Sequence, residues 1–360
     1  LKVGWRGVLG FAVTIALLWY VLRGIPIHDV ASTLRAANLP LFLLSSVVAT
    51  AVFPLRALRW RPILAPVAPD LPFGMLWPPV AIGFMINNVV PARAGEIARA
   101  YALTRETGTT AAAARGIPRV PFSGALASLA VDRLFDAVVV MTLALLAMFA
   151  PEFPGGARIA GQPAVRWAAV GVIGMAALTA ILYAIVFFPA PLIGACAAMA
   201  RRIGPRAEAR VREALTQFSV GLSVLRNPAR FARILAWAIA FWLTNAFSFW
   251  IGFQAVGIHV PWTAALFLQA VIAVGVAAPA APGFFGIFEF VATAGLGVYG
   301  VPPELAVSWA IGYHILSFIP ITVIGAWYFA KVGMHLSDVQ AEASADDAHA
   351  AAGTPPAGPG

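Results

Sequence analysis

Cysteine occurs once in the 360 residues, at Cys196. One thiol cannot close an internal disulfide and leaves no thiolate set for a structural metal, so it is expected as a small apolar packing residue. Charge is scarce too. Asp, Glu, Lys and Arg make up 11% of the chain, well under the share usual in soluble domains, while 61% is hydrophobic and mean hydropathy is +0.86. A water-soluble domain is thereby excluded. Segments of strand length with alternating hydrophobicity are missing, which excludes an outer-membrane barrel. The sequence has no Walker A loop, no HExxH pair, no GxSxG with partners and no Cys/His metal spacing. No cofactor or metal is expected, and the chain is not expected to be an enzyme.

What is present is long apolar runs, at roughly 7–22, 39–57, 73–90, 123–150, 167–188, 234–256, 262–281 and 303–330, with a Gly-rich apolar piece over 282–301. Most reach the roughly 20 residues that cross a bilayer as a helix, so the fold class is an all-α polytopic membrane protein. The N-terminal run has a basic start and no small-residue cleavage site after it, and is expected to be an uncleaved span. Residues 333–360 are rich in Ala, Gly, Pro and Asp, and are expected to form a disordered tail.

Charge decides the topology. If every run crosses fully, the arginines of 91–122 and the eight of 201–233 fall outside, against the positive-inside bias. If instead 73–103 and 262–301 each enter and return, six full spans remain. Nineteen Lys and Arg then lie on the cytoplasmic side, Arg56, Arg59 and Arg61 among them, and four outside. Both termini are cytoplasmic in that arrangement. It pairs two re-entrant hairpins as an inverted repeat, with one half at about 39–188, the other at about 234–330, and a basic amphipathic segment at 189–233 between them. The whole membrane domain covers 1–332. The net charge of +9 then reflects cytoplasmic loops and anionic headgroups. No aromatic residue interleaves the arginines of 201–233 in a way that would suit nucleic acid, and none is expected as a partner.

Three stretches could carry chemistry. In NNVVPARAGEIARAY, Asn87 and Asn88 precede a break at Pro91 and Gly95, and Arg93, Glu96 and Arg99 surround it. Irregular backbone at membrane depth needs protein or a water-filled cavity around it, and a half-helix starting near Gly95 could receive an anionic group. A capped cytoplasmic helix with a Glu96–Arg99 ion pair is the alternative. In VDRLFD, Asp132, Arg133 and Asp136 open a long apolar helix. They read either as an interfacial helix start or as a polar site in which Arg133 neutralises Glu96 or an Asp. In PGFFGIFEF, Pro282, Gly283 and Gly286 form a second break, and Glu289 has no charged neighbour within ten residues. It reads as a proton-coupling carboxylate or as a Glu at the membrane surface. His314, mid-span beside Tyr313, is either titratable or a hydrogen-bonded packing residue.

These three motifs together resemble the lysylphosphatidylglycerol synthase transmembrane (flippase-like) family over about 1–332. The resemblance implies a multi-pass inner-membrane protein linked to translocation of an anionic phospholipid or a polyprenyl-linked lipid. It places the site on Asn88, Pro91, Arg93, Gly95, Glu96, Arg99, Arg133, Asp136, Pro282, Gly283, Gly286 and Glu289. The family's aminoacyltransferase activity is not expected to carry over. Phe284 and Phe285 stand where smaller residues are expected, and His314 where Arg is expected. An ion-coupled transporter of a small solute and a non-transporting scaffold or regulator are the alternatives; oligomeric state is open.

Overall fold

The computed structural model describes residues 5–23, 25–90, 94–159, 161–222, 227–276 and 282–335. Pro91 and Arg93 lie outside them, as does almost all of the expected tail. Fourteen α-helices are described: α1 (Trp5–Leu22), α2 (Ile27–Ala36), α3 (Leu39–Leu64), α4 (Phe73–Val89), α5 (Gly95–Thr107), α6 (Thr110–Ala114), α7 (Phe122–Met148), α8 (Ala164–Phe187), α9 (Pro189–Arg201), α10 (Pro205–Leu222), α11 (Pro228–Ala255), α12 (Trp262–Gly275), α13 (Ile287–Gly297) and α14 (Pro303–Lys331). Two antiparallel two-residue strands, β1 (Arg158–Ile159) and β2 (Gln162–Pro163), join α7 to α8.

Proline and asparagine set many of the starts. Asn38 accepts from the Leu41 amide at 3.2 Å to cap α3, and Asn227 accepts from Arg230 at 3.0 Å to cap α11. Pro72, Pro121, Pro261 and Pro302 stand in extended conformation just before α4, α7, α12 and α14. Each supplies the fixed backbone angle a helix entrance uses and lacks the amide that would go unpaired there.

Among the described residues four helices are long and apolar enough to cross a bilayer: α3, α8 over Ala164–Ile181, α11 and α14. The bent pair α1–α2, which turns through 82°, brings that to five. The amphipathic α2 has no counterpart in the expected spans. Although α7 has 27 residues, Asp132, Arg133 and Asp136 interrupt its apolar surface.

Both breaks are hairpins. A Cβ on Gly83 of α4 would meet the Gly95 carbonyl at 2.8 Å and the Arg99 Cβ at 3.0 Å, so α5 folds back antiparallel on α4. On α12 and α13, Gly275 abuts Val291 and Gly295 abuts Leu268, again antiparallel. The helix pairings repeat under exchange of α3, α4, α5, α7 for α11, α12, α13, α14. The packings of α3 on α4, α4 on α5, α5 on α7, α4 on α14, α3 on α14 and α3 on α7 each have their counterpart. At the centre α3 packs on α11. The Asn38 amide donates to the Ala255 carbonyl at 2.8 Å and the Ser45 hydroxyl to the Ser248 carbonyl at 2.7 Å, which makes this pair antiparallel.

One apolar core runs through α3, α7, α11, α12, α13 and α14, around the fully buried Trp60, Phe253 and Trp309. By contrast α8 leaves Val165, Trp167, Val170 and Ile173 exposed, a surface suited to acyl chains.

Candidate functional site

The centre of the first half is built from two helical turns facing each other. Arg56 and Arg59 stand one turn apart on α3; Asp132 and Asp136 stand one turn apart on α7. Their spacings match, so each guanidinium bridges both carboxylates. Arg56 Nε donates to Asp132 Oδ2 at 3.2 Å and its Nη2 pairs with Asp136. Arg59 Nε donates to Asp132 Oδ1 at 2.8 Å and its Nη1 to Asp136 Oδ1 at 2.7 Å. From the other half, Trp242 Nε1 of α11 donates to Asp136 Oδ1 at 3.1 Å. Phe241 lies 5.2 Å from Arg56 and 5.4 Å from Arg59, placing an aromatic face beside both cations. Two cations and two anions balance here.

The hairpin tip adds charge that does not balance. Arg99 reaches from α5 to Asp132 at 3.4 Å and stacks 3.9 Å over Trp60, whose Nε1 donates to Ser128. Only 4% of Arg99 is exposed, yet among the described residues its Nε and Nη2 have no hydrogen-bond partner. Glu96 pairs with Arg133, which also approaches Asp136 at 3.5 Å. Arg56, Arg59, Arg99 and Arg133 thus face three carboxylates. The Arg133 and Glu96 side chains remain 49% and 33% exposed.

Asn87 and Asn88 support the hairpin. Asn87 Oδ1 accepts from the Gly95 amide at 2.9 Å, and Asn88 Nδ2 donates to Thr322 Oγ1 of α14 at 2.7 Å. Gly95 has no room for a side chain, because a Cβ there would collide with the Gly83 carbonyl and with Asn87.

At the second tip Pro282, Gly283 and Phe284 form a 3-10 turn in which Gly283 and Phe284 take positive φ, 71° and 61°. Gly286 follows at φ 83°, where a Cβ would lie 2.7 Å from the Thr14 carbonyl of α1. Left-handed backbone costs a non-glycine residue on the order of 1–2 kcal/mol, and Phe284 bears that cost here. Glu289 is not alone. Its Oε1 lies 2.6 Å from His314 Nδ1, and its Oε2 accepts from the Gly286 amide at 2.6 Å. His314 Nε2 lies 2.8 Å from the Gly283 carbonyl, and Phe285 and Phe288 each pack 4.4 Å from the imidazole. The bulky Phe285 therefore covers the histidine.

Three sequence expectations meet their outcome here. The lone carboxylate Glu289, read as either a coupling group or a surface Glu, is 2% exposed and partnered by His314. Of the two readings of Glu96, the pairing with Arg133 is the one formed, not the Glu96–Arg99 pair, since Arg99 turns to Asp132 and Trp60. Arg56 and Arg59 are not loop charges but buried members of α3. With Arg99, also buried, they are not loop charges of the kind the positive-inside bias counts. Arg56, Arg59 and Trp242 were missed as site residues. The available signal was the pair of arginines three apart at the end of an apolar run, matching two aspartates four apart at the start of another.

An apolar groove of about 280 Å³ opens between α2, α3 and α14, walled by Leu34, Phe42, Ile311 and Ile315, with the exposed Arg35 at its edge.

Over 349 residues the chain is 24% identical to "Glycosyltransferase AglD" of Haloferax volcanii, covering 88% of this chain and 53% of that protein. The chain therefore spans about half the length of that relative. It is 22% identical over 329 residues to a "UPF0104 membrane protein" of Methanothermobacter thermautotrophicus, covering 86% of this chain and 90% of that one. Residues 7–325 match the lysylphosphatidylglycerol synthase TM region, and with motif, helix order and match in agreement, the chain belongs to that family.

Proposed function

We propose that this membrane protein is a lipid translocase that moves an anionic phospholipid or a polyprenyl-linked lipid across the inner membrane, with no covalent chemistry of its own. The observation that carries the reading is the unbalanced arginine at the first tip: a buried Arg99 whose Nε and Nη2 have no hydrogen-bond partner among the described residues, beside the partly exposed Glu96–Arg133 pair. An unpaired buried guanidinium is costly, and a phosphate oxygen is the group that matches its fork. Arg99 and Arg133 hold the headgroup, and Arg93, two residues before Gly95 in the sequence, adds a third cation. Glu96 positions Arg133, and Asp136 anchors the cluster.

Two further features support the reading. The exchange symmetry of the packing, with antiparallel α3 and α11, is what an inverted repeat of two halves produces. It goes with six full spans, two re-entrant hairpins and cytoplasmic termini. The apolar-walled groove beside Arg35 favours a lipid over a small solute, since an acyl chain needs a lateral opening.

The test is translocation of fluorescent anionic and zwitterionic lipids in vesicles containing the full chain. Arg99→Met and Arg93→Ala are expected to slow the anionic lipid about ten- to hundredfold, the worth of a charged hydrogen bond. Rates equal to wild type in both variants, and in Glu96→Gln, would refute the assignment.

A further inference from the structure

The two hairpin tips carry corresponding acid–base pairs. Glu96 is the second residue of α5 and Glu289 the third of α13. Arg133 is the twelfth residue of α7 and His314 the twelfth of α14. Under the helix exchange already described, α5 on α7 becomes α13 on α14. The pair Glu96–Arg133 therefore maps onto Glu289–His314. They differ in two ways. The first is partly exposed and its base is permanently charged; the second is sealed, with side chains 2% and 9% exposed, and its base can lose a proton.

Hydrogen bonding fixes the proton inventory of the sealed pair. The Gly283 carbonyl can only accept, so His314 Nε2 carries a hydrogen and donates. The Gly286 amide can only donate, so Glu289 Oε2 is an unprotonated acceptor. One proton is left for the 2.6 Å line between Nδ1 and Oε1. On either atom the pair is neutral overall, which suits its burial among Phe285, Phe288 and Phe318. A second proton has no place. On Oε2 it would face the Gly286 N–H, and on the Nδ1–Oε1 line two hydrogens would oppose each other. Either way one bond closing the tip is lost and the pair becomes a cation, which a dry site disfavours.

We infer that Glu289 and His314 form a proton-binding latch: the closed second tip holds one shared proton, and uptake of another opens it to water. Resting on the two-halved translocase reading, this assigns H⁺ as the coupling ion and confines it to one of two equivalent gates. Few other titratable groups bear on the pair. Among the described residues α4 and α12 carry none. In α13 Glu289 is the sole one, and the described side chains of α1 add Tyr20 near the far end from Thr14. Within α14, Glu304, Tyr328 and Lys331 lie ten or more residues away along the helix, and the neighbouring Tyr313 has its hydroxyl on Ser248 at 2.7 Å. His28 and Asp29 of α2 are exposed, Arg35 is exposed at the edge of the groove that Ile311 and Ile315 of α14 line, and Arg56, Arg59 and Arg61 of α3 belong to the other tip or its end.

Hydrogen–deuterium exchange of the full chain in lipid nanodiscs, corrected for intrinsic rates, tests this without any transport assay, so its outcome is independent of whether lipid moves. In wild type, the peptide over 282–297 is expected to be protected at neutral pH. Below the midpoint its exchange should rise about tenfold per pH unit, the slope of one bound proton. Glu289→Gln with His314→Gln leaves nothing to titrate and should flatten the profile. His314→Phe leaves an unpaired buried carboxylate, so its tip should be open at neutral pH and close on acidification. Wild-type protection over 39–64 and 228–255 shows that each variant is folded. An acid response that persists in the double variant, a flat wild-type profile, or a His314→Phe response of the same sign as wild type would overturn the latch.

Discussion

Asp132→Asn is the sharpest perturbation of the buried cluster, because it changes charge while nearly preserving shape. Asp132 is 1% exposed and accepts from Arg56, Arg59 and Arg99 at 3.2, 2.8 and 3.4 Å. The amide leaves those three cations with Asp136 as their buried counter-ion and turns an NH₂ group toward a guanidinium. Removing one partner from a buried ion pair costs about 3–5 kcal/mol, since the remaining charge stays desolvated. At roughly 2 °C per kcal/mol for a chain of this size, the thermal midpoint should fall by roughly 6–10 °C. Tryptophan fluorescence of the detergent-purified protein reads this directly: Trp60 contacts Arg99 and Trp242 donates to Asp136. As a control, Glu208→Gln removes a partly exposed carboxylate whose partners Arg201 and Arg212 are themselves exposed, and should change stability by less than about 1 kcal/mol. A double variant supplies the stricter check. Asp132→Leu with Arg59→Leu removes one cation and one anion together and leaves Arg56 on Asp136. Its loss should fall short of the sum of the single losses by at least about 1.5 kcal/mol. A midpoint for Asp132→Asn within 2 °C or so of wild type, or additive losses in the double variant, would refute the view that the four-residue cluster staples α3 to α7.

Other sites give independent checks. Gly95→Ala places a Cβ into the Gly83 carbonyl and Asn87, and should destabilise the first hairpin by about 1–3 kcal/mol, read as faster amide exchange over 95–107 with 282–297 unchanged. Asn87→Ala removes the Gly95 amide's partner and should cost about 1 kcal/mol in the same assay. Arg99→Met removes a buried guanidinium bonded to Asp132 at 3.4 Å with two nitrogens free, so it should melt within about 2 kcal/mol of wild type while losing anionic-lipid transport. A melt as low as that of Asp132→Asn would make Arg99 a structural residue.

Most of the fold was legible because membrane helices announce themselves. Without water in the bilayer core, a spanning helix must be long, apolar and internally hydrogen-bonded, and α3, α4, α7, α8, α11, α12 and α14 start or end within a few residues of the apolar runs. The breaks were legible for a related reason, since Pro–x–x–x–Gly inside an apolar run is backbone that cannot remain one helix. Side-chain partners were less so. Glu96 and Arg99 satisfy the i,i+3 rule on one helix, yet the antiparallel α7 offers each a partner across the interface. Arg56 and Arg59 read as the charged end of a span because nothing in their own segment shows that α3 continues to Leu64 under cover of α7 and α11.

By itself, then, the sequence determined that this is a helical membrane protein with two broken segments, where those segments break, and which residues at them are ionisable. These follow from local causes: the length of apolar runs and the lost amide of proline. The tertiary structure decided which charges cancel. Asp132 and Asp136 go to Arg56 and Arg59, Arg99 keeps two nitrogens without a partner among the described residues, and Glu289 is sealed against His314. Ion pairing inside a membrane depends on which helix faces which, and only the packing of the two halves fixes that.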